Sequence, residues 1–141
     1  MMDLNKNEIK IFQKAFDKAC SGVLYQGGKS MINNSCAYRG NNGRKCTIGH
    51  LLTDAQIKKY RVHENMPSSL FSPSLIKTLF PGIPLAKADQ FLSSLQWAHD
   101  YSNGLETFEI SSGRIPTHDE WVASFKKLAN VVATKFSLKS L

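Results

Sequence analysis

Apolar residues recur at three- and four-residue intervals in three stretches of the chain, at about 5–20, 85–102 and 117–136. This spacing places apolar side chains on one face of an α-helix, so each stretch predicts an amphipathic helix. Gly22 is predicted to end the first helix. The apolar face of that helix consists of Ile9, Phe12, Phe16 and Ala19.

Two shorter helices are predicted from the signals at which they begin. Thr53-Asp54-Ala55-Gln56 is a capping-box pattern and begins a helix that ends near Tyr60. Ser72-Pro73 supplies an N-cap followed by proline at the first helical position, and it begins a helix that ends at Phe80.

The segment from Ser35 to Ile48 has the pattern of a β-hairpin. Two short runs flank an Asn-Gly pair, which accepts the positive φ of a tight turn at little cost. With Gly43 left-handed, Gly40 would face Arg44 and Tyr38 would face Cys46. The predicted fold class is therefore α+β but predominantly helical. It has about four or five helices and one small β-hairpin in a single domain over residues 1–141.

Composition and charge narrow the classes of function. Hydrophobic residues make up 42% of the 141 positions, which is typical of a globular chain. No apolar run reaches the roughly 18 residues of a membrane span, and the N-terminus lacks the apolar core of a signal peptide. We therefore expect a cytoplasmic protein with reduced thiols. The net charge of +7 favours a polyanionic partner, either nucleic acid, a nucleotide or an acidic protein surface.

Cysteine and histidine residues concentrate in and after the hairpin segment. Cys36, Cys46 and His50 are candidate ligands for zinc, although only Cys46 and His50 have the short spacing of a zinc knuckle. His99 lies on the apolar face of its predicted helix, next to Asp100. A thiol of Cys36 or Cys46 beside His99 and Asp100 would form a thiolate–imidazole pair suited to catalysis. The alternative is that the cysteines pack as small apolar residues and that His99 is a core residue.

Basic residues indicate two candidate surfaces for an anionic partner. The first combines an aromatic side chain with cations on the hairpin, an arrangement that suits stacking on a base and pairing with phosphate. Its residues are Tyr38, Arg39, Arg44 and Lys45. The second is a row of lysines at four-residue spacing on the first helix, which is either an ordinary solvated face or a basic ridge. Its residues are Lys6, Lys10, Lys14 and Lys18.

Two motifs occur together in this chain. They are Cys36-x-Tyr38-Arg39-Gly40-x-x-Gly43-x-Lys45-Cys46-x-Ile48-Gly49-x-Leu51-x-x-Asp54 and, downstream, Leu95-Gln96-x-x-His99-Asp100. With Trp121 in the last helix, they resemble a group of small uncharacterised proteins encoded by bacteriophages, prophages and proteobacterial genomes. The group has no assigned activity, so the resemblance implies a context only, that of a phage or mobile-element accessory protein.

We expect a phage-type accessory protein that acts as a non-enzymatic binder or inhibitor of a host factor through a basic surface. Host takeover and anti-defence, including anti-CRISPR-like inhibition, are the roles that this context favours. The expected partner is a host protein or nucleoprotein complex in the bacterial cytoplasm, with nucleic acid or nucleotide as further ligands, no membrane and no cofactor. The alternative is a small enzyme or zinc-binding protein that uses Cys36, Cys46, His50 and His99.

Overall fold

Helices dominate the part of the chain whose structure is described. The computed structural model describes residues 2–26, 31–32, 35–36, 38–40, 43–63, 66–102 and 118–141. Single turns of 3-10 helix lie at Ile48–His50 and Ser68–Leu70. The α-helices in the described residues are α1 (Lys6–Gln26), α2 (Asp54–Lys59), α3 (Pro73–Leu79), α4 (Leu85–Tyr101) and α5 (His118–Lys135).

The predicted α+β class, with a β-hairpin over Ser35–Ile48, is wrong. Within the described ranges the chain is mostly helical, and the sole strand pairing is a two-residue ladder of Met31–Ile32 with Ser35–Cys36. Ser35 and Cys36 thus pair with the residues before them and not with the run after Gly43. A ladder of this length does not make a sheet.

The turn of the predicted hairpin is nevertheless present. Gly43 has a φ of 72°, and the backbone N–H of Gly40 donates to the carbonyl oxygen of Arg44 at 2.7 Å. Beyond this turn the two runs do not continue as strands, because Tyr38 and Cys46 are drawn into the core. Strand pairing between short polar runs is weak, so packing against the helices overrides it.

Four phenylalanine rings from different helices form the centre of the core. Phe12 of α1 stacks on Phe91 of α4 with ring centroids 4.5 Å apart. Phe136, which follows α5, packs against Phe12 at 5.4 Å and against Phe91 at 5.2 Å. Phe80, at the end of α3, meets Phe12 at 5.6 Å. Each such pair contributes about 0.5–1.5 kcal/mol beyond the burial of its area.

The N-termini of α1 and α4 are joined by a buried carboxylate. Glu8 is 4% exposed and exchanges hydrogen bonds with Asn5, which caps α1. Lys87 Nζ, in the first turn of α4, lies 2.9 and 3.1 Å from the two carboxylate oxygens of Glu8. The hydrogen bond from the Asn5 backbone and the ammonium of Lys87 lower the pKa of Glu8.

The beginnings of the short helices agree with the prediction, but the end of α1 does not. The capping box of Thr53 and Gln56 forms at α2, and Ser72 caps α3 ahead of Pro73. Helix α1 continues through Gly22 to Gln26. No helix among the described residues combines the length and the apolar character needed to cross a membrane.

Candidate functional site

The turn at residues 46–50 packs between α1 and α4, and two glycines make this close approach possible. A methyl group at Gly22 of α1 would lie 2.5 Å from His50 Nδ1, and a methyl group at Gly49 would overlap the carbonyl oxygen of Tyr38. The hydroxyl of Thr47 donates to the carbonyl oxygen of Leu95 in α4 at 3.1 Å. The absence of a side chain at Gly22 therefore leaves room for the His50 ring against the surface of α1.

Arg39 holds this irregular segment together. Its Nη1 donates to the carbonyl oxygen of Gly49 at 2.6 Å, and its Nη2 donates to that of Leu52 at 2.7 Å. Its Nε pairs with Asp54 Oδ1 at 2.9 Å. The planar guanidinium thus supplies donors to carbonyl groups that have no strand partner, which is a structural role.

The four residues of the predicted aromatic and basic surface do not lie on one exposed surface. Tyr38 is 3% exposed, and its hydroxyl donates to the carbonyl oxygen of Met66. It is therefore not accessible for stacking on a base. Arg39 binds backbone carbonyl groups of its own segment, whereas Arg44 and Lys45 are partly exposed.

Two of the predicted chemical residues, Cys46 of the turn and His99 of α4, are buried. Cys46 is 1% exposed, and its Sγ accepts a hydrogen bond from the backbone N–H of Gly49 at 3.3 Å. His99 is fully buried, with Nδ1 3.7 Å from Asp100 Oδ1, and that oxygen accepts from Gln96 at 3.0 Å. Burial, followed by the charges of Cys46 and Asp100, raises the pKa of the Tyr38 phenol. The thiol and the imidazole are thus buried, whereas the side chain of Asp100 is 37% exposed.

Two observations concern the predicted zinc and thiol site, the first about Cys36 and the second about the grouping of metal ligands. The backbone of Cys36 belongs to the two-residue ladder, and its side chain lies outside the described residues. In the portion of the chain that the structure describes, no three His, Cys, Asp or Glu side chains are grouped so that they could hold a metal ion.

Comparison of this chain with protein-family models, with curated proteins and with solved structures found no match.

Positive charges converge on His50 from two directions. Burial is the main reason that the pKa of His50 falls from its ordinary 6.5 to about 4, and the charges of Lys45, Arg39, His99 and Lys18 lower it further. Its Nε2 is buried and has no hydrogen-bond partner among the described residues. The imidazole is therefore neutral at pH 7. Lys18 and Lys45 mark where the lysines of α1 meet the turn.

The lysines of α1 form an exposed row that we call the basic ridge, and it ends beside His50. Within the described ranges, no carboxylate lies within ion-pair distance of any of its members. The ridge consists of Lys6, Lys10, Lys14 and Lys18. The four-residue spacing was the signal for this ridge in the sequence, but its continuity with the turn at 46–50 depends on Gly22 and required the structure.

Replacing Arg39 should destabilise the fold. We expect Arg39→Ala to lower the free energy of unfolding by about 2–3 kcal/mol, because charged donors to several carbonyl oxygens are lost. Asp54→Asn is the control, since it weakens the ion pair alone and Asp54 is 90% exposed, so we expect a loss below about 1 kcal/mol. Urea denaturation measures both, and a smaller loss for Arg39→Ala than for Asp54→Asn would contradict the structural role.

The low pKa of His50 predicts a pH-dependent stability. Between pH 6.5 and about 4 the unfolded chain binds a proton at His50 and the folded chain does not. The free energy of unfolding should therefore fall as the pH decreases through this window, and protonation of His50 should contribute up to about 1.4 kcal/mol per pH unit to that fall. Above pH 6.5 His50 should contribute no pH dependence. His50→Gln should remove this component, and His63→Gln, at an exposed position, should retain it. Equal slopes in the two variants would argue against a neutral His50.

Proposed function

We propose that this chain is a non-enzymatic binding protein whose partner is anionic and docks on the basic ridge and the adjoining turn at residues 44–50. The observation that carries this proposal is the packing of the His50 ring on Gly22, one helical turn after Lys18, which brings the turn that carries Arg44 and Lys45 against the ridge helix. The resemblance to phage-encoded proteins would make the partner a host protein or nucleoprotein complex. Inhibition of that host factor would then be the biological role.

The electrostatic arrangement of the ridge supports this proposal. Ridge lysines succeed one another about 6 Å apart along the helix axis, since each residue rises 1.5 Å. Like charges at this spacing repel each other by a few tenths of a kcal/mol per pair. Within the described ranges no ridge lysine forms an ion pair that would offset this repulsion. A polyanion that binds there would relieve it, and such a field also accelerates association.

The candidate surface therefore differs from the one expected on the hairpin. Tyr38 and Arg39 contribute to the scaffold, so the proposed binding surface is centred on α1, with Arg44 and Lys45 at its edge. The charge of Arg39 still adds to the positive potential around His50.

Reversing the charge of the ridge should abolish polyanion binding. We expect the triple variant K10E/K14E/K18E to bind immobilised heparin at least about tenfold more weakly than the parent, a loss of ~1.4 kcal/mol. The matched control is K58E/K59E/K77E, which changes the net charge equally at exposed positions of α2 and α3. Equal losses in the two variants would mean that net charge alone drives binding and would refute the proposed surface. Circular dichroism establishes that both variants fold.

The second candidate function is a small enzyme or zinc-binding protein, for which the supporting observation is that His99 lies beside Asp100 and that the charges of Cys46 and Asp100 both act on Tyr38. In this alternative Cys46, or Cys36, provides the nucleophile or ligand and the histidines provide a base or further ligands. The burial of Cys46 and His99 opposes it, because a substrate would have to displace the turn at 46–50.

Alkylation of the native protein separates the two candidates. Cys46 is 1% exposed and Cys20 is fully buried, and burial raises the pKa of the Cys20 thiol to about 12. For a binding protein we expect iodoacetamide to modify neither cysteine at neutral pH until the chain unfolds, as measured by peptide mass spectrometry. Rapid modification of Cys46 with Cys20 still protected would favour the enzyme. Stoichiometric zinc that is lost in Cys46→Ser would favour the metal protein.

A further inference from the structure

An exposed tyrosine lies on the same side of α1 as the basic ridge. Tyr25 is 95% exposed, the highest value among the large hydrophobic side chains that the described surface exposes. At about 100° per residue, Tyr25 points between the directions of Lys14 and Lys18, roughly 20° from each. Phe16, which is fully buried, lies about 180° from Tyr25 around the helix. Tyr25 therefore projects directly away from the core.

The opposite flank of Lys18 is closed by the turn. Gly22 is four residues after Lys18, and the His50 ring covers it, while Lys45 lies five residues before His50 in the same segment. Around α1, the surface therefore runs from Lys14 through Tyr25 and Lys18 to His50 and Lys45. Tyr25 thus shares an angular sector of α1 with Lys14 and Lys18 and lies about 10 Å beyond Lys18 along the helix axis, at the C-terminal end of the row of cations.

Proteins that bind single-stranded nucleic acids combine a line of cations with exposed aromatic rings. The phosphates of the strand pair with the cations, and its unpaired bases stack on the rings. A duplex keeps its bases stacked internally, so it would use the lysines but leave Tyr25 without a role. An acidic protein surface would likewise pair with the lysines but would not require a planar ring at this position.

We infer that the face of α1 formed by Lys14, Lys18 and Tyr25 binds single-stranded nucleic acid, with the lysines on its phosphates and a base stacked on Tyr25. This inference rests on the proposed function and narrows its partner to one chemical class. The remaining ridge lysines, Lys6 and Lys10, extend the path of the strand toward the N-terminus of α1.

The test is fluorescence anisotropy with a labelled oligothymidylate of about 20 nucleotides, which is longer than typical sites on single-strand-binding modules. Tyr25→Ala should weaken binding about 5- to 150-fold, the loss expected for one stacked base, whereas Tyr25→Phe should retain it. The control is Tyr101→Ala on α4, which removes another exposed tyrosine and should have no effect. K14Q/K18Q should reduce the slope of log affinity against log salt by about 0.7 for each lysine that contacts a phosphate.

The other outcomes separate this inference from the proposed function. If Tyr25→Ala binds oligothymidylate as the parent does, or if a duplex of equal length binds more tightly, the inference is overturned. The protein could bind poly-glutamate but not oligothymidylate, and lose poly-glutamate binding in K10E/K14E/K18E. That result would overturn the inference in favour of an acidic protein partner and leave the proposed function intact. If the protein binds neither these polymers nor heparin, the proposed function fails with it.

Discussion

The organisation of this molecule depends on how the turn at residues 46–50 is held against helices α1 and α4. The carbonyl groups of Gly49 and Leu52 have no helix or strand partner, and burying such groups unpaired is costly. The guanidinium of Arg39 binds both of them, while Thr47 anchors the same segment to Leu95. These contacts position the turn at 46–50 on α1, and the candidate site follows from that position.

The contact between this turn and α1 has electrostatic consequences. It places the His50 ring on Gly22, where the charges of Lys45 and Lys18, distant from each other in sequence, both act on the imidazole. The imidazole within this surface remains neutral, because burial and the surrounding charges both oppose its protonation. The positive charge exposed to a partner is therefore carried by lysine and arginine and not by His50.

The buried polar residues behind the turn illustrate how similar a scaffold and a reactive site look in sequence. His99 Nδ1 lies 3.7 Å from Asp100 Oδ1, as an imidazole–carboxylate pair in a reactive site would, yet Cys46 and His99 are inaccessible to solvent. Their packing beneath the turn accounts for their positions without any chemistry. The basic face of α1, in contrast, is exposed and has no structural role in the core, which α1 enters through Phe12, Phe16, Ala19, Cys20 and Val23.

Local signals in the sequence determined much of this protein. Apolar periodicity predicted the long helices, the caps at Thr53 and Ser72 predicted two short ones, and Gly43 adopted the left-handed conformation that its turn requires. Each of these depends on residues within one or two turns of one another. The tertiary structure alone decided that the flanking runs would not pair as strands, that α1 would continue through Gly22, and that Arg39 would bind the backbone. Those outcomes depend on contacts between segments far apart in the chain, whose packing energy exceeds the weak local preference for a hairpin.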